Sequence, residues 1–325
     1  MTPPTSSASR APGGHQPADA TPSNGLRVDE LTVTYPGGAR AVRGISLAVE
    51  PGQCLALVGE SGCGKSTVAK AVLGLLPHAT HLTGSITIDG QEIAGAPETA
   101  LRKLRGLRVG LVAQDPMRSF NPLLSVATSV TESWRVHRQR PPRDAVTDAL
   151  TALGIPEART RSGKRPHEWS GGMLQRAAIA AAGAHTPPLI VADEPTSALD
   201  ADRADAVLEA LRATGAGILL ISHDLHLVGR HSDTISVMYA GRLVESGPAA
   251  DLLADPRHPY SAALLAATPR PGQGLPVPLP GAPPSLDQGG PGCAFAPRCP
   301  AVMDDCHTRH PELRNHLACH RQEAR

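Results

Sequence analysis

The residues that decide the fold are Gly59-Glu60-Ser61-Gly62-Cys63-Gly64-Lys65-Ser66-Thr67. An apolar run, Cys54 to Val58, precedes them, and a helical pattern from Thr67 to Leu76 follows. In this context a G-x-x-x-x-G-K-S match forms a phosphate-binding loop, because its glycines let backbone N–H groups point at phosphate oxygens. We call the nine residues the phosphate loop. They predict a site for a nucleoside triphosphate, with Lys65 at the β- and γ-phosphates and the Ser66 hydroxyl on Mg²⁺.

Composition limits the classes of partner. The chain has 325 residues, and 31 Lys and Arg face 30 Asp and Glu, for a formal net charge of +1. That balance gives no electrostatic reason to expect nucleic acid or an anionic membrane surface as the main partner. No apolar run approaches the ~20 residues that span a bilayer, and the N-terminus lacks a signal-peptide pattern. We therefore expect a cytosolic chain that does not bind nucleic acid.

The chain divides into three predicted parts. Residues 1–24 are rich in Pro, Ser, Thr, Ala and Gly, which predicts a disordered tail. Strand patterns then alternate with helical ones, which indicates an α/β fold with a mainly parallel sheet. A helical block between Gln114 and Leu189 interrupts this alternation, and we interpret it as an inserted subdomain. Its predicted helices are Val126–Val136, Asp144–Leu153 and Leu174–Ala184. The Pro- and Gly-rich residues 269–292 predict a linker or an extended wrap.

Two carboxylates follow a predicted buried strand. Asp193 and Glu194 come directly after the apolar run Leu189-Ile190-Val191-Ala192. At that position one carboxylate can meet the Mg²⁺ of a bound nucleotide, while the next positions or deprotonates an attacking water. A polar end of a strand without chemistry is the alternative interpretation.

A third motif lies between these two. Ser170-Gly171-Gly172-Met173-Leu174-Gln175 matches the pattern L-S-G-G-x-x-Q, with Trp169 in place of the first Leu. Together the motifs resemble the nucleotide-binding subunit of ABC transporters, in family order, from about Leu26 to Pro269. The resemblance implies a P-loop NTPase cassette over residues 25–268, in which an antiparallel β subdomain and a helical subdomain at about 115–186 join the mainly parallel core sheet.

The resemblance also implies a role for each motif residue. The whole phosphate loop binds ATP, Tyr35 stacks on adenine, and Ser66, Gln114 and Asp193 surround Mg²⁺. Glu194 is the catalytic base, and His223 contacts the γ-phosphate. Asp200 is the last residue of the D-loop, Ser197 to Asp200. The signature residues close on a nucleotide that the opposite subunit holds, and they are Ser170, Gly171, Gly172 and Gln175. We also predict that bound nucleotide protects the Cys63 thiol from alkylation.

The end of the chain resembles one importer group. Asp255 to Tyr260, Leu264 to Pro269 and Gly292 to Pro300 resemble the C-terminal part of oligopeptide/dipeptide/nickel importer ATPases, so residues 269–325 are predicted to be an extension of that type. Met173 to Arg176 also resembles the nickel branch. The sequence therefore leaves the cargo open between di- or oligopeptides and nickel or a metal chelate.

Four cysteines lie in this extension, at Cys293, Cys299, Cys306 and Cys319. Their C-x5-C-x6-C-x12-C spacing differs from the paired C-x-x-C knuckles of structural zinc sites. Four thiolates can hold an iron–sulfur cluster, and some members of the resembled group carry a [4Fe–4S] cluster there. The alternatives are free thiols or zinc, for which His307, His310, His316 and His320 are further ligands.

The family resemblance implies the partners. They are a second ABC ATPase subunit, identical or homologous, two membrane permease subunits and an extracytoplasmic substrate-binding protein. The chain is then peripheral, on the cytoplasmic face of a bacterial membrane. Two other classes of function stay open at this point: a non-transport ABC ATPase, against which the single cassette and the absence of sustained heptads argue, and a regulatory nucleotide sensor.

Overall fold

A computed structural model describes residues 25–197, 199–268, 275–286 and 290–322. The predicted disordered tail, residues 1–24, lies outside the described residues, as do residues 269–274 and 287–289 of the predicted linker. The strands are β1 (Leu26–Thr34), β2 (Arg40–Val49), β3 (Cys54–Val58), β4 (His81–Ile88), β5 (Gln91–Glu92), β6 (Val109–Val112), β7 (Leu189–Asp193), β8 (Gly217–Ser222), β9 (Thr234–Tyr239) and β10 (Arg242–Pro248).

The helices follow the same chain order. The α-helices are α1 (Lys65–Val72), α2 (Glu98–Leu104), α3 (Pro116–Ser119), α4 (Val126–Val130), α5 (Glu132–Val136), α6 (Ala145–Ala152), α7 (Ala158–Arg161), α8 (Gly171–Ala182), α9 (Ala201–Arg212), α10 (Leu225–His231), α11 (Ala249–Ala254), α12 (Pro259–Ala267) and α13 (Asp305–Thr308). Short 3-10 turns lie at Pro166–Glu168, Ala296–Arg298 and His320–Gln322. In the described part of the chain, no helix is long and apolar enough to cross a membrane.

Two sheets organise these elements. The larger one has the order β10-β9-β3-β8-β7-β6, and every neighbouring pair is parallel except β10 with β9. The smaller one is antiparallel, with the order β2-β1-β4-β5. This arrangement confirms the predicted fold class, a mainly parallel α/β core with an antiparallel β subdomain.

Alternate side chains of the parallel strands enter two different cores. On β8, Ile218 and Leu220 pack with the apolar faces of α9 and α10, whereas Leu219 and Ile221 face α1 and the antiparallel sheet. Successive residues of a strand point to opposite faces, so a strand covered on both faces needs a continuous apolar run. The parallel part of the sheet is therefore buried on both sides.

The helical region between β6 and β7 has its own core, built around Phe120, Val126, Leu150, Trp169 and Leu174. Two details differ from the predicted helices. The predicted helix from residue 126 to 136 is broken into α4 and α5 at Thr131, whose hydroxyl donates to backbone carbonyls one turn earlier, at 2.9 and 3.1 Å. The helix predicted from Leu174 begins at Gly171, because Ser170 caps it.

The C-terminal region packs against the main core. Phe295 is 1% exposed, and its ring lies 5.3 Å from that of Tyr239 on β9 and 5.4 Å from that of Tyr260 on α12. Aromatic pairs at these separations stabilise a fold beyond the apolar area that they bury. The described part of the predicted extension thus shares a core with the sheet that carries the phosphate loop.

Candidate nucleotide-binding site

The phosphate loop joins β3 to α1, as its motif predicts. Lys65 is the first residue of α1 and is 4% exposed, and its Nζ donates to the carbonyls of Gly59 at 2.8 Å and Glu60 at 3.0 Å. The ammonium group therefore lies inside the loop that it belongs to. A buried cation that donates to neutral backbone carbonyls is positioned to receive an anion.

Two glycines of the loop have backbone conformations and surroundings that exclude a side chain. Gly64 has φ +113°, and a Cβ built on it would lie 2.2 Å from the Ala41 carbonyl oxygen. Gly59 has φ +155°, and its Cβ would lie 2.2 Å from the Met238 carbonyl oxygen. Because only glycine fits such close approaches, these residues fix the curl that exposes the loop's N–H groups.

The other predicted catalytic groups gather at the same edge of the sheet. Gln114 follows β6, Glu194 follows β7, and His223 follows β8, while the phosphate loop follows β3. These four strands are adjacent and parallel, so their carboxyl ends meet at one edge. Ligands of open α/β sheets bind at that edge. Residues up to 164 positions apart in the sequence are thereby brought into one site.

Ser66 and Asp193 form the oxygen-rich part of the site. The Ser66 hydroxyl donates to Asp193 Oδ1 at 3.2 Å. Burial raises the pKa of the Asp193 carboxyl, and the nearby Glu194 charge adds to this rise, whereas the hydrogen bond from Ser66 opposes it. A hydroxyl and a carboxylate that touch beside a phosphate loop are hard oxygen donors of the kind that Mg²⁺ prefers. The donor set therefore fits the predicted cation.

Glu194 is held from three sides. Its Oε2 accepts from Nε2 of Gln114 at 3.0 Å, its Oε1 lies 3.5 Å from Nδ1 of His223, and its backbone N–H donates to the Ile221 carbonyl at 2.9 Å. The residue has φ +47°, a conformation that costs free energy in a residue other than glycine. The neighbouring contacts hold this carboxylate where the three predicted catalytic residues converge.

Tyr35 lies beside the loop. It follows the last residue of β1, its side chain is half-buried, and its hydroxyl is 3.0 Å from Oγ1 of Thr67. That hydrogen bond places an aromatic ring next to the phosphate loop, where a base can stack on it. The stacking role of Tyr35 stays a prediction.

The signature residues lie apart from this edge. Ser170 caps α8 by accepting from the Met173 N–H at 3.4 Å, and both Ser170 and Gly171 are exposed. A Cβ built on Gly171 meets nothing within 4 Å, so the helix start is open to an incoming group. In the described parts of the chain, no hydrogen bond or ion pair joins residues 170–175 to the phosphate loop. The open helix start is therefore free to face another molecule.

Two of the predicted nucleotide contacts, Gln175 and Asp200, also have contacts within the chain, and their roles toward a nucleotide stay predictions. Gln175 is 1% exposed and lies one helical turn from the buried Ala178 and Ile179, on the inward face of α8. Asp200 caps α9, because its Oδ1 accepts from the Arg203 N–H at 3.0 Å. The D-loop position Ala198 lies outside the described residues.

Comparisons with known proteins agree with this geometry. Residues 42–197 match the family model described as ABC transporter, and residues 244–306 match the oligopeptide/dipeptide transporter C-terminal region. The oligopeptide transport ATP-binding protein OppD of Escherichia coli is 40% identical over 313 residues, which are 92% of this chain and 91% of that protein. The chain belongs to the ABC transporter family. Within it, the chain falls in the oligopeptide/dipeptide group of ATP-binding subunits.

Other relatives extend the comparison. OppD of Mycobacterium tuberculosis is 45% identical over 310 residues, but the chain spans only about half (51%) of that protein's length. Among solved structures, cbiO1 of Clostridium perfringens, part of the ABC transporter complex cbiONQ, has a TM-score of 0.61 at 28% identity, covering 71% of this chain and 90% of that one. A dimeric ADP- and phosphate-bound ABC cassette, MJ0796, has a TM-score of 0.60 at 25% identity, covering 69% and 98%.

The four C-terminal cysteines of this ABC protein are the candidates for a metal site. All four are described and carry free thiols, and among the described residues no three His, Cys, Asp or Glu side chains are grouped so that they could hold a metal ion. Burial raises the pKa of the Cys293 thiol to about 11, and the nearby Cys306 and Cys299 thiols add to this rise. The described side chains therefore give no support to an iron–sulfur cluster or a zinc site.

Cys63 is more protected than its position in the loop predicts. It is 3% exposed, burial raises the pKa of its thiol, and Sγ lies 3.9 Å from the Lys65 ammonium. We expect iodoacetamide to modify Cys63 slowly at pH 7 even without ATP, because the reagent needs an accessible thiolate. Peptide mapping after timed alkylation measures this, with the half-exposed Cys299 as internal reference. Equal labelling of both thiols in the native chain would contradict the buried position.

Sequence reasoning missed the residues that hold the phosphate loop from the far end of the chain. The Arg298 guanidinium forms two hydrogen bonds with the Glu60 carboxylate, at 2.7 and 3.0 Å, and the Tyr260 hydroxyl accepts from the Glu60 N–H at 2.8 Å. These contacts span 238 and 200 residues. The only signal for them is the charge of Glu60 within the loop, which gives no indication of its partner.

Proposed function

We propose that this ABC protein binds MgATP at the phosphate loop and hydrolyses it. The observation that carries the proposal is the convergence of Lys65, Ser66, Asp193 and Glu194, with Gln114 and His223, at one edge of the parallel sheet. Lys65 would bind the terminal phosphates, and Ser66 and Asp193 would hold Mg²⁺, whose charge offsets that of the phosphates. Glu194 would accept a proton from the attacking water, which Gln114 and His223 help to position.

We propose further that each site is shared between two chains. A composite site requires a signature segment that is open to a second chain. Residues 170–175 meet this requirement, because the start of α8 is open and no described hydrogen bond joins it to its own phosphate loop. An N-terminal helix end with exposed N–H groups is suited to a phosphate held by another subunit. ATP then favours the closed pair and hydrolysis favours the open one, so that nucleotide state becomes mechanical work.

The transported cargo we infer is a di- or oligopeptide. The relatives are named as oligopeptide transport or peptide import ATP-binding proteins, and the C-terminal match is to the oligopeptide/dipeptide region, which does not favour nickel. The partners are then a second ATPase subunit, two membrane permease subunits and an extracytoplasmic substrate-binding protein. The chain would sit peripherally on the cytoplasmic face of the membrane.

Uptake by cells that lack this chain tests the proposal. Restoring the wild-type chain should restore uptake of a labelled tripeptide, a Glu194→Gln chain should not, and uptake of labelled nickel should be the same in all three strains. If nickel uptake depends on the presence of the chain and peptide uptake does not, the chain powers metal import instead. Equal uptake of both cargoes with and without the chain would favour a non-transport ABC ATPase or a nucleotide sensor.

A further inference from the structure

Every polar group of Glu60 in the phosphate loop has a partner. Its carboxylate accepts two hydrogen bonds from Arg298, its N–H donates to Tyr260, and its carbonyl accepts from Nζ of Lys65 at 3.0 Å. Of these partners, Lys65 belongs to the loop, whereas Arg298 and Tyr260 come from the C-terminal quarter of the chain. The loop is therefore fixed from outside the core strands and helix that carry it.

Arg298 is itself rigidly placed. Its side chain is 5% exposed, its Nε donates to the Pro280 carbonyl at 2.7 Å, and its Nη1 lies 3.2 Å from the Tyr239 hydroxyl. The guanidinium carbon lies 5.8 Å from the centre of the Tyr239 ring and 5.9 Å from that of Phe295. These contacts do not involve Glu60, and they already hold the Arg298 side chain in place. The two hydrogen bonds from Arg298 to Glu60 therefore form with little further loss of side-chain freedom.

Tyr260 is placed in the same way. It is fully buried, with its ring 4.5 Å from that of Tyr239 and 5.4 Å from that of Phe295. Burial raises the pKa of its hydroxyl, so the group is neutral at physiological pH and accepts from the Glu60 N–H. The aromatic group Tyr239, Tyr260 and Phe295 thus supports both contacts to the loop.

Charge gives these contacts a consequence for ATP. Glu60 is an acidic residue within a loop whose ligand is a polyanion, and its side chain is only 21% exposed. Paired with Arg298, the carboxylate is neutralised, but without that partner it would be a poorly solvated negative charge beside the phosphates. Removing Arg298 therefore both loosens the loop and adds repulsion.

We propose that Arg298 and Tyr260 are positioning residues for ATP binding, which hold the phosphate loop through Glu60 and cancel its charge. The proposal rests on the proposed function, because it needs MgATP to bind at this loop. It makes the C-terminal region part of the nucleotide site, because two of its side chains contact the phosphate loop. Preorganisation of this kind raises affinity by lowering the ordering cost of binding.

Four full-length chains test the proposal: wild type, Arg298→Met, Glu60→Gln and the double variant. Their dissociation constants for MgATP are measured by titration with a fluorescent ATP analogue. We expect Arg298→Met to bind about tenfold more weakly, since it removes a charge-assisted pair and exposes the carboxylate. The double variant should recover to within about threefold of wild type, because glutamine removes the repelling charge. In steady-state ATP hydrolysis, Arg298→Met should raise the KM for MgATP and change kcat less.

Further variants separate positioning from folding. Arg314→Met, whose exposed ion pair with Glu312 lies at the surface, is the matched control and should bind like wild type. Tyr260→Phe removes only the hydroxyl and should weaken binding without changing the thermal unfolding midpoint greatly. Arg298→Lys keeps the charge and should bind better than Arg298→Met, and this comparison decides the proposal should the methionine variant unfold. The defect of Arg298→Met relative to wild type should shrink at high salt, which screens the unpaired charge.

Each outcome decides between interpretations. Equal dissociation constants for wild type and Arg298→Met would overturn the proposal, as would a double variant that binds no better than Arg298→Met, since Arg298 would then contribute packing alone. A wild-type chain that binds no MgATP would overturn the proposed function itself. Wild-type binding with a defect in Arg298→Met that Glu60→Gln suppresses supports both.

Discussion

A Glu194→Gln chain is expected to hydrolyse ATP on the order of a thousandfold more slowly than wild type, since a general base contributes about that factor. Glutamine keeps the shape and the contact with Gln114 but cannot accept a proton from water. ATP should still bind, because the phosphate loop and Lys65 are untouched, and chains closed around ATP should accumulate as dimers. Steady-state phosphate release and gel filtration with ATP measure the two effects.

A surface glutamate provides the control for this variant. Glu132→Gln changes an exposed side chain on α5 that pairs with the neighbouring Arg135 at 3.6 Å, and the variant should turn over ATP at the wild-type rate. Unchanged turnover in Glu194→Gln would refute Glu194 as the base. Loss of ATP binding in that variant would instead indicate that the residue holds the loop together.

The second large effect is expected from Lys65→Met. Lys65 contributes a buried cation to the loop, and charge-assisted contacts to two phosphates, worth about 1.5–3 kcal/mol each, lead us to expect about a hundredfold weaker MgATP binding. Part of the loss will come from the loop itself, since the ammonium also bonds to the Gly59 and Glu60 carbonyls. Equilibrium titration with a fluorescent ATP analogue measures the change.

Lys70→Met is the matched control, because Lys70 lies in the last turn of the same helix with an exposed side chain. It should bind MgATP like wild type. An affinity in Lys65→Met equal to that of Lys70→Met would exclude the phosphate loop as the place where the terminal phosphates bind.

Much of the fold and most of the site followed from local pattern. The apolar runs at residues 189–192 and 218–221 became the buried strands β7 and β8, and motifs that follow parallel strands came together because those strands end at one edge. The strand that precedes Asp193 and Glu194 therefore predicted that these carboxylates would lie near a bound nucleotide, and the family resemblance added His223.

What the sequence did not reveal depends on long-range packing. The inward face of α8 buries Gln175, and no local pattern separates that position from an exposed signature residue. The contacts of Glu60 with Arg298 and Tyr260 join residues 200 or more positions apart, across elements whose packing a linear pattern does not encode. The number of C-terminal cysteines left an iron–sulfur cluster, zinc and free thiols open, and the described side chains give no support to either metal site.

The claim of a composite site is tested most directly by the ATP turnover rate per chain, measured over a wide range of chain concentrations. The isolated chain at low concentration should bind MgATP through Lys65 and Ser66 but hydrolyse it negligibly. The rate per chain should rise steeply with concentration, or on addition of the partner ATPase subunit. Rapid turnover that is independent of concentration, in a chain that light scattering shows to be monomeric, would contradict the composite site.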